Sequence, residues 1–151
     1  MPKRVWRIFL LILLLAWVSP AGAPASDDNV YIDTIGALSG SYIYMTYGYI
    51  GVVADAYSKD LYEAGQIKHM MEEKVTFINK LVQSLRQVQG TNLAQTDREF
   101  IEAMIEILDL LKQEAESLAA FATSNDPAEV EHFDQVRQEA WSQIKKVFGV
   151  N

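Results

Sequence analysis

Two histidines, the carboxylates around them and a group of tyrosines are the residues of this chain whose types could do chemistry. His132 closes the sequence Glu129-Val130-Glu131-His132, and a Glu-x-x-His spacing sets both side chains on one helical face, as in di-iron bundles. A carboxylate-bridged metal pair needs several inward glutamates. Here the pattern occurs once, and the inward positions of the other helices are apolar. His69 and His132 remain as candidates for a single surface metal site, but no metal and no other cofactor is expected. The carboxylate pairs Glu72-Glu73 and Glu102/Glu106 fall on faces that apolar periodicity assigns to water. The serines lack a plausible base, and no glycine-rich elbow or phosphate loop is present. Met70-Met71 reads as core filler rather than a soft-metal site. The chain is read as non-enzymatic.

Tyr42, Tyr44, Tyr47 and Tyr49 lie in a less ordinary setting. From Asp33 to Asp55 the chain runs 21 residues without a charge, and this stretch contains Gly36-x-x-x-Gly40, Gly48 and Gly51. A helix neutral on every side is normally buried on every side, whereas each helix of a four-helix bundle shows one face to water. The stretch therefore asks for a further partner. One reading is a self-association or partner-docking face, with Gly36, Gly40 and Gly51 admitting close approach and Tyr44 and Tyr47 giving contact area. Another is a ligand pocket between helices, lined by Tyr42, Tyr44, Tyr47 and Tyr49, as in a small-ligand sensor or carrier. A third is a central helix whose tyrosine hydroxyls reach water. Glycines and hydroxyls dilute its hydropathy too far for stable membrane insertion.

The elements that would position these residues follow from apolar spacing. Tyr31, Ile35, Leu38, Tyr42, Met45, Tyr49, Val52 and Ala56 alternate by four and three, the seam of a coiled-coil-like helix. Leu61, Ala64, Met71, Val75, Ile78, Val82 and Leu85 make a second seam, with Lys68 in one slot. The register breaks between them, which predicts a turn at 57–60, with Ala64-Gly65 as the alternative. Gly90 ends the second helix, and Thr96-Asp97-Arg98-Glu99 reads as a capping box opening the third. Ile101, Met104, Leu108, Leu111, Ala115, Leu118 and Ala122 form its seam. Asp126-Pro127 opens the fourth, whose seam is Val130, Phe133, Ala140, Ile144 and Val147 with Arg137 in one slot. The expectation is an all-α, up-down-up-down antiparallel four-helix bundle over 26–151, with helices at about 31–57, 60–89, 97–123 and 127–148. A haem held by methionine and histidine, as in periplasmic b-type cytochrome bundles of similar size, needs ligands near the start of the first helix and the end of the last. Tyr31, Ile35 and Leu38, and Ile144, Val147 and Phe148, cannot supply them.

Residues 1–25 set the expected compartment. Lys3, Arg4 and Arg7 precede the apolar run Ile8 to Val18, Ser19-Pro20 breaks it, and small residues follow to Ala25. This is the layout of a secretory signal peptide, and the run is shorter than the roughly 20 residues of a membrane span. Cleavage after Ala25 is preferred to cleavage after Ala23, because Pro24 would directly follow the latter; an uncleaved anchor is the rival reading. Cysteine is absent, which excludes lipid attachment, thiol catalysis, disulfides and covalent haem. No Asn-x-Ser/Thr sequon occurs either, and together these features point to a bacterial periplasm. Cleavage would take the net charge from −7 to −10 by removing three basic residues and no acidic one. Such a surface disfavours nucleic acid and anionic lipid. The expected role is an exported binding module whose partner is a protein, most simply another copy of itself.

Overall fold

The computed structural model describes residues 27–150, with side chains from Val30 onward, so the expected leader and its cleavage sites lie outside the described residues. Four helices follow one another: α1 (Asp27–Ser58), α2 (Ala64–Gln89), α3 (Gln95–Ser124) and α4 (Pro127–Phe148). No strand occurs among the described residues, and the fold is all-α with four helices. By its contacts the chain divides into Met1–Asp33, of which the opening turns of α1 are described, and Thr34–Asn151, which holds the rest of α1 and the other three helices.

Each helix ends for a local reason. α1 stops where Asp60 turns left-handed (φ 56°) and the Leu61 amide reaches back to the Ala56 carbonyl at 3.0 Å. The chain re-enters a helix after Glu63, whose amide donates to Gln66 Oε1 at 2.9 Å. The connection thus lies between the two positions the register break suggested, and Ala64-Gly65 is already helical. Leu61 falls in this connection, 69% exposed, rather than on a seam, and Ile67 fills the slot assigned to Lys68. α3 begins at Gln95, so Thr96 is inside the helix and caps nothing. Arg98 holds this corner instead, donating to the Gln89 carbonyl at 2.7 Å. At the last corner Asn125 takes the left-handed turn, and Asp126 Oδ1 caps α4 by accepting from the Ala128 amide at 3.0 Å.

α3 is the central helix. All seven of its seam residues, Ile101 through Ala122, are 3% exposed or less. Ile105, Ile107, Glu114 and Ser117 are buried beside them because α2 and α4 flank it on two sides. Burial of such aliphatic side chains stabilises by about 1.5–3 kcal/mol each, which makes α3 the main source of cohesion. Towards one end, Ile50 and Val53 of α1, Ile67 and Met71 of α2, and Ala115, Leu118 and Ala122 of α3 share one cluster against which Phe133 of α4 packs.

α1 departs from its expected register by one residue. Its buried line is Gly36, Ser39, Ile43, Thr46, Ile50 and Val53, with half-buried Tyr57 continuing the alternation. The line read from sequence is turned to water: Tyr31 is 60% exposed, Leu38 69%, Met45 72% and Val52 69%. Two heptads run along this helix about 100° apart, and without charges to mark an outer face the larger side chains dominate the pattern. The neighbours decide otherwise. Phe100 of α3 and Phe148 and Arg137 of α4 need hollows, which Gly36 on this line and Gly40 and Gly51 beside it offer.

Candidate functional site

The inward face of α1 accepts three large side chains from its own chain. A Cβ on Gly36 would stand 2.8 Å from Phe100 Cε1, and one on Gly40 would stand 2.8 Å from Phe148 Cε1. The two phenyl rings meet edge to face at 6.3 Å. A Cβ on Gly51 would stand 2.9 Å from Cζ of Arg137. These glycines admit close approach of α3 and α4. Tyr44 and Tyr47 likewise meet Trp141 of α4, at 6.3 Å and, stacked, at 5.2 Å. Tyr44 remains 53% exposed.

A buried ion pair lies beneath this contact. Glu114 of α3 is 0% exposed, and its Oε1 accepts from Nη1 of Arg137. The same Nη1 donates to the Tyr47 carbonyl at 3.2 Å, and the guanidinium rests 4.0 Å from the centroid of the Tyr47 ring. Burial pushes the Glu114 carboxyl up to about 7, against the opposing pull of the Arg137 charge and its hydrogen bond. Glu114 Oε2 is buried with no partner, and the Tyr42 and Thr46 hydroxyl oxygens are buried beside each other. The ion pair joins three helices at one level of the bundle, with Glu114 buried and the Arg137 side chain 25% exposed beside the Tyr47 ring.

The outward face of α1 is different. Leu38, Met45 and Val52 stand seven residues apart, each about 70% exposed, in a stretch with no charged residue from Thr34 to Ala54. Tyr49, 37% exposed, and half-buried Tyr42 flank this stripe on the α2 side. There Lys74 Nζ sits 4.4 Å from the Tyr49 ring centroid and 6.0 Å from that of Tyr42. Such cation–π contact holds the rings in place without covering the stripe. Burial raises the pKa of the Tyr42, Tyr47 and Tyr49 hydroxyls, so all three stay neutral at physiological pH.

The four tyrosines do not line a common pocket. Tyr42 and Tyr49 face α2, whereas Tyr44 and Tyr47 face α4, because two residues along a helix turn about 200° around it. The histidines are not joined by any contact. His69, its side chain 73% exposed, lies 3.7 Å from Glu73, and His132 Nδ1 is 2.6 Å from Ser117 Oγ. Among the described residues no group of three or more histidines and carboxylates is arranged to hold a metal ion, and no helix is long and apolar enough to cross a membrane. Sequence reasoning missed Glu114. The signal was Arg137 itself: an arginine on an apolar seam calls for an acid at the same level of a facing helix. Comparison with protein-family models, with curated proteins and with solved structures finds no match to this chain.

Proposed function

We propose that the chain is an exported, non-enzymatic four-helix bundle that docks a protein through the outward face of α1, in the first instance a second copy of itself. The observation that carries this is the exposed stripe of Leu38, Met45 and Val52 in a helix face without charge. A twofold contact along the stripe sets these side chains against their own copies, and no charged residue of this stretch opposes a like charge, although the chain as a whole is at −7. Burying six such side chains across a dimer gains roughly 6–12 kcal/mol. Association costs about 4–15 kcal/mol, so the flanking Tyr42 and Tyr49 are needed for a stable complex.

The helix directions in this proposal alternate up-down-up-down. The pairs Gly36–Phe100 and Tyr57–Ala122 support α1 and α3 running the same way. Gly40–Phe148 and Gly51–Arg137 support α4 running against α1, and Arg86–Asp109 and Gln89–Glu102 support α2 running against α3. Export through residues 1–25 to a bacterial periplasm rests on their charge and apolar pattern.

The test is light scattering on the protein recovered from the exported fraction, across a tenfold range of concentration, with its intact mass measured alongside. A dimer that Leu38→Lys with Met45→Lys converts to monomer, at unchanged helicity, supports the docking face. A wild-type monomer throughout overturns self-association. A mass that retains residues 1–25 overturns the cleaved leader.

A further inference from the structure

A cavity of about 410 Å³ opens where α1 ends and α3 turns into α4, away from the outward stripe of α1. Leu118, 3% exposed, and the rings of Tyr57, Phe121 and Phe133 give it an apolar wall, while Asp60 and Asp134 bring carboxylates to it. No lysine, arginine or histidine lines it. Its volume falls in the range of sites that enclose small organic molecules, about 300–1,000 Å³. The aromatic wall is set rather than loose. The Tyr57 hydroxyl donates to the Ala122 carbonyl at 3.3 Å, and its ring meets Phe121 edge to face at 6.0 Å and 81°, so the two rings form a corner. The backbone of Asp60 is fixed as well, because this residue is the left-handed one of the turn that ends α1, with its amide on the Tyr57 carbonyl at 3.0 Å. Among the described residues neither Asp60 nor Asp134 takes part in an ion pair.

We infer that this cavity binds a hydrophobic organic cation, an alkyl- or arylammonium whose apolar body lies against Leu118 and the rings and whose charge faces Asp60 and Asp134. Three candidate classes are separated by the chemistry of the wall. An anion would meet two carboxylates and no base. A neutral hydrophobe would gain the apolar wall alone and leave both exposed carboxylates to water. A cation compensates both and gains from the ring faces as well, worth about 0.5–2 kcal/mol per cation–π contact. The net charge of −7 draws cations towards the molecule and repels anions. Two carboxylates alone are too few for a tight metal site, whereas diffuse positive charge on an apolar body fits an acidic, aromatic-walled cavity.

Titration of the full chain with benzyltrimethylammonium, benzyl alcohol and phenylmethanesulfonate, followed by amide chemical shifts, tests this directly. Saturable shifts at Tyr57, Phe121 and Phe133 are expected with the ammonium, weaker ones with the alcohol and none with the sulfonate. Asp60→Asn with Asp134→Asn should weaken the ammonium at least tenfold and leave the alcohol unchanged. Both positions are exposed and asparagine tolerates the left-handed turn, so the thermal melt should not move. Equal affinity for the ammonium and the alcohol, an ammonium affinity unaffected by the double substitution, or shifts confined to other parts of the molecule would each overturn the assignment. The outcome is independent of self-association through α1, since Leu38→Lys with Met45→Lys should leave this titration unchanged.

Discussion

Arg137→Met isolates the most consequential polar interaction in the bundle. The substitution keeps much of the side-chain volume beneath Gly51 and removes the donor that faces Glu114 and the Tyr47 carbonyl. Glu114 is then a fully buried carboxyl with neither oxygen partnered. Removing one member of a buried pair costs about 3–5 kcal/mol where the other must carry charge, and about 1–2 kcal/mol where only a neutral hydrogen bond is lost. Which regime applies depends on pH. In the folded protein Glu114 titrates at about 7, above its ordinary 4.5, so between these values the native state holds a proton that the unfolded chain has released. The sign follows from linkage: this group's contribution is fully present below 4.5 and is lost as pH rises through 7. The loss approaches 1.4 kcal/mol per pH unit, or about 3 kcal/mol over the whole window. Without Arg137 the carboxyl titrates higher still, so the decline continues beyond neutrality.

Urea unfolding followed by helical circular dichroism, from pH 5 to pH 9, reads this out. Glu114→Gln serves as the reference that removes the titration. Relative to it, the wild type should lose stability up to about pH 7 and then level off, consistent with the raised carboxyl. Arg137→Met should fall in parallel at first and keep falling, so its cost relative to wild type grows from about 1–2 kcal/mol at pH 5 to 3 kcal/mol or more at pH 9. Parallel profiles for wild type and Arg137→Met, or a cost below 1 kcal/mol at pH 9, would refute the buried-pair reasoning.

Gly40→Leu should destabilise the isolated chain by about 1–3 kcal/mol or more in thermal or urea unfolding, because Phe148 occupies the space its side chain needs. Thr46→Val should cost no more than about 1 kcal/mol in the same assay, since its buried hydroxyl has only the Tyr42 hydroxyl beside it to lose. Asp126→Ala should cost about 1 kcal/mol by removing the cap of α4, whereas Thr96→Ala should change stability by no more than about 0.5 kcal/mol, the residue lying inside α3.

The seam of α3 and the cap of α4 were legible because local and tertiary signals agree there. Apolar residues recur at one spacing, charged residues mark the other faces, and Asp126-Pro127 has one economical use. The corner between α1 and α2 was harder to read. Leu61 continues an apolar spacing, but the turn needs a left-handed residue, and Asp60 supplies it before Leu61 can join a helix. Thr96 resembles a cap by composition, yet Arg98 binds the Gln89 carbonyl and allows α3 to start earlier. The cavity beside Tyr57 was not legible at all, since its wall comes from three helices and two turns that no spacing rule links.

α1 shows why a correct periodicity can still select the wrong face. Both of its heptads are regular, and the line through Leu38, Met45 and Val52 contains the larger side chains, so hydrophobic size alone favours burying it. Packing against α3 and α4 is governed by complementarity instead. Phe100, Phe148 and Arg137 need hollows, and Gly36, Gly40 and Gly51 provide them where a leucine could not. Once the small residues face inward, Leu38, Met45 and Val52 are turned about 100° from the packed side, and they stand in water. The exposed stripe is therefore coupled to the glycine contacts: a substitution that fills Gly40 forces α1 to turn or to withdraw, and either response changes what the outer face presents. Gly40→Leu consequently probes the fold before it probes association, whereas Met45→Lys, 72% exposed at the wild-type residue, probes association alone.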